Sequence, residues 1–253
     1  MYWTLGKYFL KVNNELKEEE PKSDEKTMKL VDHICKSIVN ARNKISKIDQ
    51  DTEEGKEILQ YTGYTGTNTR HLYNNICSNF ENETRNRYLE IGTWYGSSSI
   101  SAIYKNNIDA LFIDNWCQFN GDSNIFIENI KKFEGDSNCY LIESDCWSVD
   151  LKSIPDKFNI YLYDGAHTEE DHYKSLEYYL PVLEDQFIFM VDDWCWPDVR
   201  NGTMRAIRNL NLNIQFIHEE FLSSEDLKGM PNHTGRQTWW NGIAIFLLSK
   251  NSL

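Results

Sequence analysis

From Tyr88 to Leu248, short apolar runs alternate with stretches of helical period at regular spacing. Tyr88–Ile91, Ala110–Asp114, Cys139–Glu143, Ile160–Asp164 and Phe187–Val191 read as strands, each too short and too β-branched or aromatic for a helix. Helical patterns begin around Ile100 and cover roughly Ser123–Phe133, Glu169–Leu183 and Thr203–Leu210. Strand alternating with helix predicts an α/β fold, a doubly wound and mostly parallel sheet with helices on both faces. Two further strands, Ile214–His218 and Ile243–Leu248, follow each other without a convincing crossover helix. They predict an antiparallel pair at one edge, so seven strands with one antiparallel edge strand.

Ahead of this alternation, Met28, Val31, Ile34, Ile38, Ala41 and Ile45 recur at helical spacing between Thr27 and about Ile48. This stripe predicts an N-terminal amphipathic helix that packs on the domain or on another protomer, as in a homo-oligomer. An aromatic tip (Tyr2, Trp3, Tyr8, Phe9) and an acidic linker precede it. A polar segment, Tyr61–Thr69, leads into a helix over about Arg70–Asn79; such a segment either covers a ligand or merely connects. The expected division is an extension, 1–55, and one α/β domain, 56–253, in a chain of 253 residues.

Composition narrows the function. Acids outnumber bases 39 to 26, a net charge of -13, which disfavours a nucleic-acid partner. Six cysteines form no Cys-x-x-Cys pair, which argues against a zinc site and a disulfide framework and for a reduced, cytoplasmic setting. No apolar stretch is long enough to span a bilayer, and the N-terminus lacks the pattern of a secretory signal.

In an open parallel sheet, ligands bind beyond the carboxyl ends of the strands. After the first strand stand Gly92, Thr93, Trp94, Tyr95, Gly96 and Ser97, with Glu90 inside the strand. Glycines there let the backbone approach a ligand. The second strand ends in Asp114, an acid suited to the two hydroxyls of a ribose. Ser144, Asp145 and Cys146 follow the third. The fourth ends in Asp164-Gly165-Ala166-His167, and the fifth in Asp192-Asp193-Trp194. Asp164, Asp192 and Asp193 should meet at one edge, where their repulsion would be relieved by a hard divalent cation such as Mg2+. Thr168 and Asp171 look like a cap for the following helix, which leaves Asp164 free. Trp94, Tyr95, Trp116, Trp194, Trp196, Trp239 and Trp240 crowd the same edge, suited to a flat ligand.

The run Glu90-x-Gly92-x-x-x-Gly96 resembles the first motif of class I S-adenosylmethionine (SAM) methyltransferases. Asp164-Gly-Ala-His167 with the later Asp192-Asp193 is similar to the metal-dependent macrolide sugar O-methyltransferases and their cephalosporin-biosynthesis relatives, over roughly residues 60 to 250. The first of the later pair is often Glu in that group and is Asp192 here. The resemblance implies the class I fold, SAM over Gly92–Ser97 with its ribose on Asp114, and adenine by Asp145 and Cys146. It also implies Mg2+ on Asp164, Asp192 and Asp193, with His167 as base. The activity expected is O-methylation of a small hydroxylated molecule, a sugar or a phenol. A non-catalytic binding module of this fold and a nucleotide-using enzyme are the alternatives.

Overall fold

The computed structural model describes residues 25–78, 85–222 and 238–251. The aromatic tip, the acidic linker and the last residue of the expected Arg70–Asn79 helix lie outside them. Seven strands form one sheet: β1 (Arg87–Ile91), β2 (Asp109–Asp114), β3 (Asn138–Glu143), β4 (Phe158–Tyr163), β5 (Leu183–Asp192), β6 (Leu212–Glu220) and β7 (Ile243–Lys250). Their order is β3-β2-β1-β4-β5-β7-β6. β1 to β5 pair in parallel, and β7 runs antiparallel to both β5 and β6. The antiparallel pair therefore forms one edge, with the reversed strand β7 one place in and β6 outermost.

The helices form two layers. α1 (Glu25–Arg42), α2 (Glu53–Gln60), α3 (Thr67–Cys77), α4 (Ser97–Ile103) and α5 (Ser123–Phe133) cover one face, and α6 (Glu169–Tyr179) and α7 (Pro197–Asn209) the other. Strand alternation divides the side chains between them. Tyr88 joins the α1–α5 core, whereas Leu89 and Ile91 join the α6–α7 core.

The apolar stripe of α1 is taken up by the chain's own core. Leu30, Val31, Ile34, Ile38 and Ala41 are buried there with Leu72, Tyr73 and Ile76 of α3. Met28 and Ile45, counted in the same stripe, are exposed; Ile45 lies past the end of α1 at Arg42, after Lys44 takes a left-handed φ of 57°. α2 is absent from the sequence reading, and the expected boundary after residue 55 falls inside it. Only Thr52, whose hydroxyl accepts the Gly55 N–H, and the acidic first turn signal this helix. α7 starts six residues before the expected Thr203, at Pro197, a residue preorganised for a first helical turn. The expected Thr168 cap of α6 is present, its hydroxyl accepting the Asp171 N–H at 3.1 Å.

Candidate active site

The chain order reverses between β1 and β4, which opens a crevice at the carboxyl ends of these strands. A cleft of about 490 Å³ occupies it, a size suited to a small ligand. Its lining includes Gly92, Thr93, Ser97, Asp114, Cys146, Asp164, His167 and Asp193. Glu90, Tyr95, Gly96, Asp145 and Asp192 lie outside the lining.

The turn after β1 forms the near wall. Gly92 has φ 85°, and a side chain there would meet the Asp164 carbonyl oxygen, at 2.0 Å from its Cβ. Only glycine lets β1 and β4 come this close at the mouth of the crevice. Asp114 holds the same turn from β2. Its Oδ2 accepts the N–H groups of Thr93 and Trp94 at 2.7 and 2.8 Å, and its Oδ1 accepts that of Trp116 at 2.8 Å. A carboxylate has about four acceptor positions, so Oδ1 retains room for a further donor.

Glu90 was expected among the cofactor contacts, and the structure places it beneath the turn instead. It is fully buried, its carboxylate accepting hydrogen bonds from Tyr88 at 2.9 Å and from Ser98 of α4. Burial pushes its pKa up to about 7, against the opposing pull of those donors. Tyr95 turns away from the cleft, its hydroxyl donating to the Asn120 carbonyl at 3.0 Å. Asp145 caps the short turn Cys146–Ser148, accepting the Trp147 N–H at 2.8 Å. Cys146 lines the cleft as a neutral thiol, its pKa raised to about 12 by burial.

Asp164, His167 and Asp193 converge at the far side, with one donor atom from each within 4.8 Å of the others. His167 Nε2 lies 2.5 Å from Asp193 Oδ2, without the alignment of a hydrogen bond. Asn241 donates to the other oxygen of Asp193. Burial, reinforced by the Asp192 and Asp193 carboxylates, holds the Asp164 pKa well above the usual carboxylate range. Of the expected trio, Asp164 and Asp193 line the cleft and Asp192 does not. Asp192 belongs to the strand and accepts the Asp193 N–H at 3.0 Å, and its carboxyl faces Tyr73 in the α3 layer. β5 ends at Asp192, and the left-handed φ of 55° at Asp193 turns the chain there, so Asp193 lines the cleft and Asp192 does not. His167 is the third member of the converging group.

Backbone strain concentrates here. Trp94, Trp116, Phe119, Asp193 and Trp240 all line the cleft with φ between 44° and 55°, a region that costs a non-glycine residue on the order of 1 kcal/mol or more. Tyr64 stacks on Trp94 with ring centres 5.0 Å apart, and Trp196 lies 5.1 Å from the His167 ring.

Residues ahead of β1 contribute more than the sequence reading assigned. The Tyr61–Gly66 segment lies over the start of α4, where Thr65 and Ser97 share a hydrogen bond of 2.7 Å between their hydroxyls. Arg70, 2% exposed, fixes that segment by donating to the carbonyls of Ile58, Tyr61 and Thr65. An arginine four residues into a helical pattern gave no sign of this, because its partners are all backbone. Of the two readings of this segment, the covering one matches its position over the cleft, where Tyr64 and Thr65 both stand in the lining.

No protein-family profile matches the sequence, and no curated protein does. Solved structures do. A provisionally assigned RNA methyltransferase from Pyrococcus horikoshii is 10% identical, with 87% of this chain and 98% of that one covered at a TM-score of 0.50. A provisionally assigned methyltransferase solved with S-adenosylhomocysteine is also 10% identical, covering 74% of this chain and 50% of that one, again at 0.50. The O-methyltransferase TomG from Streptomyces achromogenes, of tomaymycin synthesis, is 14% identical over 90% and 91% of the chains at 0.45. With the strand order and the reversed β7, the two likenesses at 0.50 show that the chain has the fold of the class I SAM-dependent methyltransferases.

Proposed function

We propose that the protein is a SAM-dependent methyltransferase that methylates a hydroxyl oxygen of a small molecule with the help of a hard divalent cation. The observation that carries the reading is the convergence of Asp164, His167 and Asp193 beside the Gly92–Ser97 turn, in one cleft. SAM would lie along that turn, with Asp114 both holding the turn and meeting the ribose. The Tyr61–Gly66 segment would cover its methionine end through Thr65.

The donor set fits a hard cation. The Asp164 and Asp193 carboxylates, brought together where burial and neighbouring acids raise the Asp164 pKa, present oxygen ligation suited to Mg2+ or Mn2+. Asp164 and Asp193 would hold it, and the charge it would supply there would lower the pKa of a substrate hydroxyl. His167 would accept the hydroxyl proton at Nε2, and Asp193 beside it would stabilise the resulting imidazolium. The freed oxygen pair would then form the O–CH3 bond as the C–S bond electrons pass to sulfur, leaving S-adenosylhomocysteine. Asn241 would fix the orientation of Asp193 throughout. A nucleic-acid acceptor fits poorly with a net charge of -13.

The test is transfer of labelled methyl from SAM to a panel of catechols, flavonoids and deoxysugar glycosides, with Mg2+ and with a chelator. Labelled product that disappears with the chelator supports the reading. S-adenosylhomocysteine binding without transfer to any acceptor would instead favour a non-catalytic module.

A further inference from the structure

The two edges of the sheet differ. β3 and β6 each pair with one neighbour only. β6 carries devices that keep an edge from pairing. Its register shifts between Ile214 and Phe216, and it ends in His218, Glu219 and Glu220, the last bonded to Arg42 of α1. β3 keeps an unbroken register with β2 and holds no lysine, arginine or proline. Its Tyr140 is 61% exposed.

The N–H groups of Asn138 and Ser144 donate to the carbonyls of Ile108 and Asp114, both at 2.9 Å, so the even-numbered residues of β3 turn their backbone toward β2. By alternation Cys139, Leu141 and Glu143 turn theirs outward, and among the described residues nothing bonds to those groups. An antiparallel copy of β3 centred on Tyr140 matches this parity. Tyr140 then faces Tyr140 as a pair without hydrogen bonds between, and Cys139 exchanges two bonds with Leu141. Ser137 faces Glu143 and Asp136 faces Ser144, so no two acids stand opposite, and the two exposed rings form an aromatic cross-strand pair. On α5, Asn129 bonds to the Tyr95 carbonyl and Lys132 pairs with Glu57, which turns that flank inward. Ile127 and Lys131, on the opposite flank, lie toward the open edge and widen the surface.

We propose that the edge of β3 docks a second copy of this chain, paired antiparallel about Tyr140 into one continuous sheet. The apolar stripe of α1 is buried in the chain's own core, so β3 rather than α1 offers the surface. Both clefts stay open in such a dimer, because antiparallel pairing turns the carboxyl ends of the two sets of parallel strands to opposite ends of the joined sheet. One short strand and a helix flank form a small interface, which sets the expected dissociation constant in the micromolar range.

The experiment is sedimentation velocity on the full chain at about 100 μM and about 0.15 M salt, where the repulsion between two copies of net charge -13 is screened. The wild type should sediment mainly as a dimer. Tyr140→Lys, which places a charge on the edge, should weaken association about tenfold or more. Tyr140→Cys under mild oxidation should give a disulfide-linked dimer well above the wild-type level, because the facing Cα atoms would lie about 4.5 Å apart. Glu143→Cys, about 20 Å from its copy in this register, should not. A wild type that sediments as a single chain overturns the inference. So does a dimer that survives Tyr140→Lys, or one that cross-links no better through position 140 than through 143. Should Tyr140→Lys fail to fold by its melting curve, the two cysteine variants decide alone.

Discussion

Asp114 Oδ2 accepts the backbone N–H of Trp94 at 2.8 Å, and this bond ties the end of β2 to a residue held at φ 44°. Trp116, also bonded to Asp114, donates its indole N–H to the Trp94 carbonyl at 2.6 Å. Asp114 thus shapes the turn as well as facing the cleft. Asp114→Ala should lower stability by about 1–3 kcal/mol, the cost of leaving charge-assisted bonds unmade at a partly solvated site. It should also weaken S-adenosylhomocysteine binding by about tenfold or more, since turn geometry and ribose contact fail together. Thermal unfolding and calorimetry measure the two. Normal affinity in a destabilised variant would confine Asp114 to the turn.

Glu90 gives a pH dependence with a defined sign. Its folded pKa of about 7 lies above the value of roughly 4.3 for an unfolded chain. Between those values the folded protein binds more protons than the unfolded one, so stability falls as pH rises and levels off above about 7. The span is about 4 kcal/mol for this one group. Glu90→Gln should flatten much of that slope and melt at or above the wild-type temperature at pH 8. Melting curves from pH 5 to 8 check it, and an unchanged slope would assign the effect to other buried acids.

Asp192 and Asp193 are neighbours with opposite duties. Mg2+ should raise the melting temperature of the wild type, because a ligand of the folded state stabilises it. Asp193→Asn should abolish that shift. Asp192→Asn should keep it, and should gain stability above neutral pH, because burial holds the Asp192 pKa well above the usual range. Loss of the shift in both variants would return Asp192 to the cation site.

Arg70 tests the covering segment. Arg70→Met keeps an apolar stem but removes the guanidinium donor from the Tyr61 and Thr65 carbonyls and leaves the Ile58 carbonyl only the Tyr61 N–H. Stability should fall by about 2–4 kcal/mol. Affinity for S-adenosylhomocysteine should fall about tenfold as Thr65 loses its place over Ser97. A stable, tight-binding variant would show that the segment is only a connection.

The alternation of strand and helix was legible because both faces of β1, β2, β4 and β5 are buried, so each of these strands reads as a compact apolar run. α5 was placed at its observed limits because Asp122 caps it and its apolar period is complete. α2 was missed because its apolar surface is little more than Ile58 and Leu59, too few to show a period. At the site, the acids marking strand ends were found, but their directions were not. Asp192 and Glu90 sit on the α1–α5 face of the sheet, and strand pleating rather than residue type decided that. Arg70 acts through the backbone carbonyls of Ile58, Tyr61 and Thr65, and Asn241 through an acid 48 residues earlier; no side-chain pattern announces either partner.

The central claim is that the cleft between β1 and β4 holds SAM. The most direct measurement is calorimetric titration of the wild-type protein with S-adenosylhomocysteine. The account predicts one molecule bound per chain in the micromolar range, weakened by Asp114→Ala and left close to wild type by His167→Ala. No heat of binding at millimolar ligand, with the protein folded by its melting curve, would contradict it.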